Sequence, residues 1–267
     1  MSLAAADDTA LPALPRAFRE LFRREPLFAG AALVLALLSL PALAALALDD
    51  RTLMDVNVWV KPLKFSLSLT VYLATLAWFA GWLPPGGSKS RWYRVYAAAV
   101  VFCVAAEMAW IGGAAANGVA SHFNVSTPAL ATLYPLMGLL AIYLTSATLV
   151  YGVLIWRHRE SRLDPVFRLS VAAGLVLTFL LTVPVAGYMA AGTTGHAVGD
   201  GGDLRVAHFF ATHALHFVPA FGFVAAGTLP RRTGRFAVFA FAAAFCGFVA
   251  FTLVQAAQGR PFLAILG

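Results

Sequence analysis

Seven apolar stretches, each long enough to cross a bilayer as a helix, constrain this chain more than any other feature. They run approximately over residues 27–48, 58–83, 92–117, 128–156, 166–190, 204–228 and 234–257. A membrane helix needs about 20 predominantly apolar residues to cross the hydrocarbon layer. The connections between the stretches are too short to hold a soluble domain. We therefore predict an all-α fold, a polytopic membrane helical bundle with seven transmembrane helices.

The composition agrees with a membrane protein. Hydrophobic residues make up 61% of the 267 residues and charged residues only 12%, whereas a soluble domain carries roughly 25% charged residues. We expect a cytoplasmic N-terminal tail over 1–25, with a short basic amphipathic segment, a transmembrane domain over 26–258 and an extracytoplasmic tail over 259–267. The lipid bilayer is the predicted partner of this multi-pass protein.

The basic residues fall on alternate connections. Loops that carry Lys and Arg usually face the cytoplasm, so the N-terminus is predicted to be cytoplasmic and the C-terminus extracytoplasmic, in a bacterial inner membrane. This distribution also argues against nucleic-acid binding, despite a net charge of +7. The alternating basic residues are Arg16, Arg19, Arg23, Arg24, Lys89, Arg91, Arg94, Arg157, Arg159, Arg162, Arg168, Arg231, Arg232 and Arg235.

Three ionisable residues lie inside the second and third predicted spans. Lys61 and Lys64 share a narrow polar stripe of the second span, because each helical residue advances about 100°. Glu107 lies about 15 Å from the extracytoplasmic end of the third span, at a rise of ~1.5 Å per residue. Ionisable groups in a bilayer usually mark functional sites. We predict that Glu107, Lys64 and Lys61 are catalytic or proton-relaying residues; a purely structural ion pair is the alternative.

Histidines form a second candidate site near the predicted extracytoplasmic face. His208 and His216 lie on one face of the sixth span, and His122 and His196 lie in loops that can fold over the end of that span. Imidazole is the commonest biological metal ligand; three such groups can hold zinc, and two facing histidines can hold a haem iron. The predicted metal ligands are His208, His122 and His196.

The remaining site predictions concern a cofactor or an anionic ligand. His216 is the reserve ligand, although it lies two turns from His208 and both cannot bind one ion. Arg205 and Asn124 are predicted to bind the cofactor, and Arg205, Lys61 and Arg51 suit haem propionates or another anionic, lipid-like ligand. The expected cofactor is haem or a transition metal (zinc, iron or copper).

Three short motifs carry a resemblance to known proteins. They are WVKPLKF at 59–65, SHFN at 121–124 and GDLRVAHFF at 202–210. Over most of spans two to seven, the chain resembles a family of bacterial polytopic integral membrane proteins to which no activity is assigned. The resemblance implies no activity, so none is carried over.

Three functions remain open. The first is redox or electron-transfer work with haem or a metal near the extracytoplasmic face. The second is a metal-dependent hydrolase or transferase acting on lipid-like substrates, with Glu107 as general base to a metal-bound water. The third is a proton-coupled transporter or channel, although the sequence reveals no internal repeat and no broken helix pair of the kind found in many transporters. Whether the protein is an enzyme is left open.

Overall fold

The computed structural model describes residues 15–192 and 195–262. The predicted all-α class is confirmed, because long helices dominate and the strands have only two residues each. The elements are α1 (Arg16–Arg24), α2 (Pro26–Leu48), β1 (Thr52–Leu53), β2 (Val56–Asn57), α3 (Val60–Phe79), 3-10 turns at Ala80–Trp82 and Gly87–Lys89, α4 (Arg91–Ala116), α5 (Pro128–Arg157), α6 (Pro165–Ala191), β3 (Ala197–Val198), β4 (Gly202–Asp203), α7 (Leu204–Thr228) and α8 (Arg231–Ala257).

The seven helices α2 to α8 correspond to the seven predicted spans. Each is long and apolar enough to cross a membrane, so the protein is a multi-pass membrane protein. The orientation of the termini and the boundaries of the predicted transmembrane domain stay predictions. Much of both predicted tails, over 1–14 and 263–267, lies outside the described residues.

Helix starts follow local capping rules. The Asp164 side chain accepts a hydrogen bond from the backbone N–H of Val166 at 2.7 Å, and Pro165 is the first residue of α6. Thr127 and Pro128 play the same two parts at the start of α5. A polar side chain at the N-cap accepts a hydrogen bond from one of the free backbone N–H groups of the first turn. Proline at the first helical position has no backbone N–H, so no donor is left without a partner there. These pairs fix where the helices begin.

The described residues divide into two compact units. Unit 1 comprises residues 15–81 and 88–119, and unit 2 comprises 82–87 and 120–262. Within unit 1, α1 packs on α2 and α3, and α3 packs on both α2 and α4. Within unit 2, α6 packs on α5, α7 and α8, and α7 packs on α8. Each unit has its own core of buried side chains.

A β-hairpin joins two long helices in each unit. In unit 1, β1 pairs antiparallel with β2 between α2 and α3; in unit 2, β3 pairs with β4 between α6 and α7. Met54 and Asp55 form the first turn with φ of 52° and 60°, as a two-residue type I′ turn requires. The second turn has three residues and begins with Gly199 at φ 56°. We call the end of each unit that carries its hairpin the hairpin end.

Units 1 and 2 therefore repeat one order of elements: helix, hairpin, helix, helix. When Pro41 of α2 is placed against Pro184 of α6, every buried residue of α2 meets a buried residue of α6. Placing Ala77 of α3 against Gly222 of α7 likewise brings four of the six buried residues of α3 onto buried residues of α7. The recurrence lies in burial and proline position, and no extended sequence motif accompanies it.

The last helix of each unit also ends in the same way. Gly118 follows the cap residue of α4 with φ 66°, and Gly259 follows the cap residue of α8 with φ 73°. This left-handed conformation favours glycine. Each helix end also meets its hairpin: Arg51 Nη1 donates to the carbonyl of Ala116 at 3.1 Å, and Gly202 packs against the carbonyl of Ala256.

Candidate functional site

Unit 1 brings two of the predicted site residues together. Lys61 is the second residue of α3. Just before this helix begins, the Asn57 side chain accepts a hydrogen bond from the Trp59 backbone N–H at 2.9 Å. Glu107 lies on α4 with only 3% of its surface exposed. The charges of Lys61 and Glu107 interact across the α3–α4 contact. Opposite charges attract strongly where water is excluded, so this pair is a polar site inside an apolar helix contact.

Lys64 is not part of that site. Its side chain is exposed, whereas Lys61 is half-buried, and the Lys61 ammonium lies 5.8 Å from the centroid of the Phe65 ring. Both lysines share one helical stripe, so the sequence alone cannot distinguish them. Of the two lysines predicted as partners of Glu107, the structure favours Lys61.

The hairpin end of unit 1 holds a cluster around Asp49. Arg51 donates to this carboxylate from Nε and Nη2, the latter at 2.6 Å, and the Trp59 indole N–H donates at 2.8 Å. These hydrogen bonds, above all those from the Arg51 side chain, hold the pKa of Asp49 well below its usual range. Because Arg51 already holds Asp49 and the Ala116 carbonyl, an anionic ligand would have to compete with both.

The histidines predicted on the sixth span lie along α7 in unit 2. His208 and His216 are half-buried. The His213 and His216 rings are 5.5 Å apart between centroids, and His213 stacks on Phe209 at 4.1 Å. His213 Nδ1 lies 2.8 Å from the Phe209 carbonyl, so this ring bonds within its own helix. The row provides titratable groups along one side of α7.

The loop residues of unit 2 are held mainly by local contacts. His122 Nδ1 lies 3.1 Å from the Ser121 hydroxyl, and its ring packs edge-on against Tyr134 at 6.1 Å. Asn124 accepts hydrogen bonds from the backbone N–H and hydroxyl of Ser126. Asn124 thus stabilises a turn, which is the ordinary role of asparagine in a loop.

His196 approaches the start of α7. Its backbone carbonyl accepts a hydrogen bond from the Leu204 N–H at 2.9 Å, and its charge interacts with the Asp203 carboxylate. Burial raises the pKa of Asp203, but hydrogen bonds from the side chain and backbone of Arg205 outweigh it and leave the pKa below its ordinary value. Arg205 donates to Asp203 from Nε and Nη2, so this predicted anion-binding residue already holds a carboxylate.

Three metal ligands do not converge. Over residues 15–192 and 195–262, no group of three His, Cys, Asp or Glu side chains has the spacing needed to hold a metal ion. The structure therefore gives no support to the three-ligand zinc site predicted at His208, His122 and His196, which stays a prediction. Two-ligand haem binding and the metal-dependent hydrolase stay predictions.

Sequence reasoning missed a buried contact in unit 1. Glu25, 5% exposed between α1 and α2, accepts a hydrogen bond from the Tyr93 hydroxyl at 2.8 Å. Burial raises the pKa of Glu25, although the Tyr93 hydroxyl opposes this shift. An acid directly before Pro26 and a long apolar run could have been recognised as a helix cap, but nothing in the sequence identifies its partner.

Comparisons with known proteins assign no family. No protein-family model matches the chain, and neither a curated protein nor a solved structure matches it. The site must therefore be interpreted from its own chemistry.

Proposed function

We propose that the protein is a proton-coupled membrane transporter in which Lys61 and Glu107 form the proton-linked site. One observation carries the proposal: a buried carboxyl on one helix that can cross a membrane interacts electrostatically with a lysine on the neighbouring one. Carboxyl groups inside membrane helices characteristically mark ion pathways and proton relays.

The chemistry of the pair suits coupling. A proton that binds Glu107 removes the negative charge that attracts Lys61, so the α3–α4 contact has a different energy in the two protonation states. A ligand that favours one of two arrangements shifts their populations, and a proton acts here as such a ligand. The His208–His216 row on α7 adds titratable groups to unit 2.

The recurring order of elements supports the same class. Many transporters are built from two repeats of one helical motif, either inverted or parallel.

The test is a proton-flux measurement in proteoliposomes with a trapped pH dye. An imposed pH gradient is applied with amino acids, sugars, organic anions or organic cations outside, each supplied separately. We expect at least one class to drive internal acidification by wild-type protein, and Glu107→Gln to abolish it. The control is Glu160→Gln, the same chemical change at an exposed site. Absence of solute-dependent proton movement in the wild type, or full activity in Glu107→Gln, would overturn the proposal.

We also propose that the N-terminus is cytoplasmic, in a bacterial inner membrane. The support is the concentration of basic residues on alternate connections. In intact cells, a membrane-impermeant thiol reagent should label Ser126→Cys, at an exposed position of the loop before α5, and leave Ser161→Cys unlabelled. The reverse pattern contradicts this orientation.

Redox work with haem is the second candidate, favoured by the approach of His196 to the helix that carries His208. Histidine would supply an axial iron ligand. An absorption spectrum and metal analysis of wild-type protein distinguish this candidate from transport. A haem band that is lost in His208→Ala and retained in His158→Ala would support it, and colourless protein without bound metal would exclude it.

A further inference from the structure

We propose that unit 1 carries a docking surface for the headgroups of anionic phospholipids, formed by α1 and the start of α4. The surface, which we call the basic collar, comprises Arg16, Arg19, Lys89, Arg91 and Arg94. Four of these side chains are exposed, and that of Arg19 is half-exposed.

Helix α1 has a fixed place on unit 1. Arg24 at its end donates to the Trp78 carbonyl at 2.7 Å and lies 4.1 Å from the centroid of the Trp78 ring. Its methylene and guanidinium atoms fill the space in which a side chain at Gly81 would lie. Helix α1 therefore presents a defined surface to its surroundings.

A hydrogen bond joins the end of α1 to the start of α4. The Tyr93 hydroxyl donates to Glu25, the residue directly after α1. Arg91 and Arg94 flank Tyr93 in sequence and are exposed, whereas Tyr93 is buried. The two basic segments of the collar therefore lie at the same end of unit 1.

The acidic residues of α1 and its cap leave the positive charge of the collar unopposed. Both acids of α1 and its cap are already engaged: Glu20 accepts hydrogen bonds from Arg23 and Arg24, and Glu25 is buried against Tyr93. The hydrogen bonds from Arg23 and then Arg24 lower the pKa of Glu20 to about 2. Glu20 is thus engaged by Arg23 and Arg24, and it leaves the five basic residues of the collar available to an external anion.

The collar is accompanied by an apolar component of aromatic side chains. Phe18 and Phe22 lie on one side of α1 with ring centroids 5.0 Å apart, and the exposed Trp92 stacks on Tyr96 at 5.3 Å. A short helix with basic and aromatic faces lies in the membrane interface, where tryptophan rings are also concentrated. Lipid phosphate beside arginine, with aromatic rings at the level of the acyl chains, matches both components.

The test measures which lipids stay bound after purification from mixed phosphatidylglycerol and phosphatidylcholine vesicles. We expect wild-type protein to retain phosphatidylglycerol preferentially. The double variant Arg91→Gln/Arg94→Gln should lose this preference, by roughly fivefold for each charge removed. The variant Arg16→Gln/Arg19→Gln tests the other half of the collar separately.

The matched control is Arg232→Gln/Arg235→Gln, which removes two exposed arginines at the same spacing from the start of α8 in unit 2. The control should retain wild-type lipid preference. If the control and collar variants lose phosphatidylglycerol equally, the preference depends only on the net charge of the protein and the proposal is overturned. A wild-type protein that shows no preference for phosphatidylglycerol would overturn it as well. Displacement of the lipid by millimolar inorganic phosphate would identify a simple phosphate site instead.

Discussion

Units 1 and 2 share an order of elements, yet they place opposite chemistry at one corresponding position. Glu107 and Phe248 each stand ten residues before the cap of their helix, Asn117 in α4 and Gln258 in α8. In unit 1 this position holds an acid that interacts electrostatically with Lys61. In unit 2 it holds a phenyl ring in edge contact with Phe210 at 4.7 Å. An apolar side chain is therefore compatible with this architecture, so Glu107 is not needed to hold the motif together.

The helix after each hairpin carries ionisable side chains in both units, as α4 does at Glu107. With Ala77 placed against Gly222, Leu63 meets His208 and Ser68 meets His213, so the two units place these groups on different faces. Lys61 and Lys64 belong to α3, and His208, His213 and His216 to α7. The two units therefore place ionisable side chains on the same helix of the motif, but at different positions and with different chemistry.

The largest expected effect comes from making unit 1 resemble unit 2 at this position. Glu107→Gln alone should lower the free energy of unfolding by about 3 kcal/mol, because Lys61 keeps a charge without its partner. The double variant Lys61→Met/Glu107→Leu should recover most of that loss, since well-packed apolar residues can replace a buried ion pair. Denaturant titration in detergent micelles measures both.

Restored stability should not restore transport. The double variant is expected to stay inactive in the proteoliposome assay, which separates the chemical role of the pair from its structural role. If the double variant is less stable than Glu107→Gln, the pair is a structural requirement of unit 1 and the equivalence with Phe248 fails.

The second effect concerns how closely the helices approach. At Gly222 an added methyl group would collide with Ser170 of α6, whereas the corresponding residue of α3 is the fully buried Ala77. Gly222→Ala should therefore destabilise the protein by about 2 kcal/mol through overpacking.

Gly227→Ala, on the same helix with no atom within 4 Å of the new methyl group, is the matched control for that measurement. It should be neutral or stabilising by up to about 1 kcal/mol. Equal effects at both glycines would show that α6 and α7 can separate at little cost.

Sequence patterns predicted the helices well because membrane spans depend on length and apolarity alone. The stretch predicted at 166–190 is α6 at Pro165–Ala191, and the basic segment before the first span is α1 at Arg16–Arg24. The two hairpins were missed, since two-residue strands are too short to show alternation. The recurrence of elements was also missed, because it lies in burial and in Pro41 and Pro184, which only coordinates relate.

The candidate site was predicted in part. Intramembrane position identified Lys61 and Glu107, but Lys61 and Lys64 lie on one stripe of the helix, so periodicity could not show which of them interacts with Glu107. Spacing likewise could not show that Arg205 is held by Asp203 or that His213 bonds to its own helix. Hydrogen bonds over two to four residues depend on local backbone geometry, which composition does not reveal.

The smallest expected effect compares the two hairpin ends under acid. Asp49 and Asp203 each hold an arginine and each have a pKa below the ordinary carboxyl value, so each contributes stability that is present at neutral pH and lost as the pH falls through the folded-state pKa. The unfolding midpoint of wild-type protein should therefore decrease on acidification, and this decrease should be smaller in Asp49→Asn or Asp203→Asn.

Asp49 should contribute more to the loss of stability in acid than Asp203, because Trp59 adds a hydrogen bond to Asp49 and burial opposes the lowering of the pKa more strongly at Asp203. Asp200→Asn, on the exposed turn of the second hairpin, is the control, and an acid response unchanged in both variants would contradict this account.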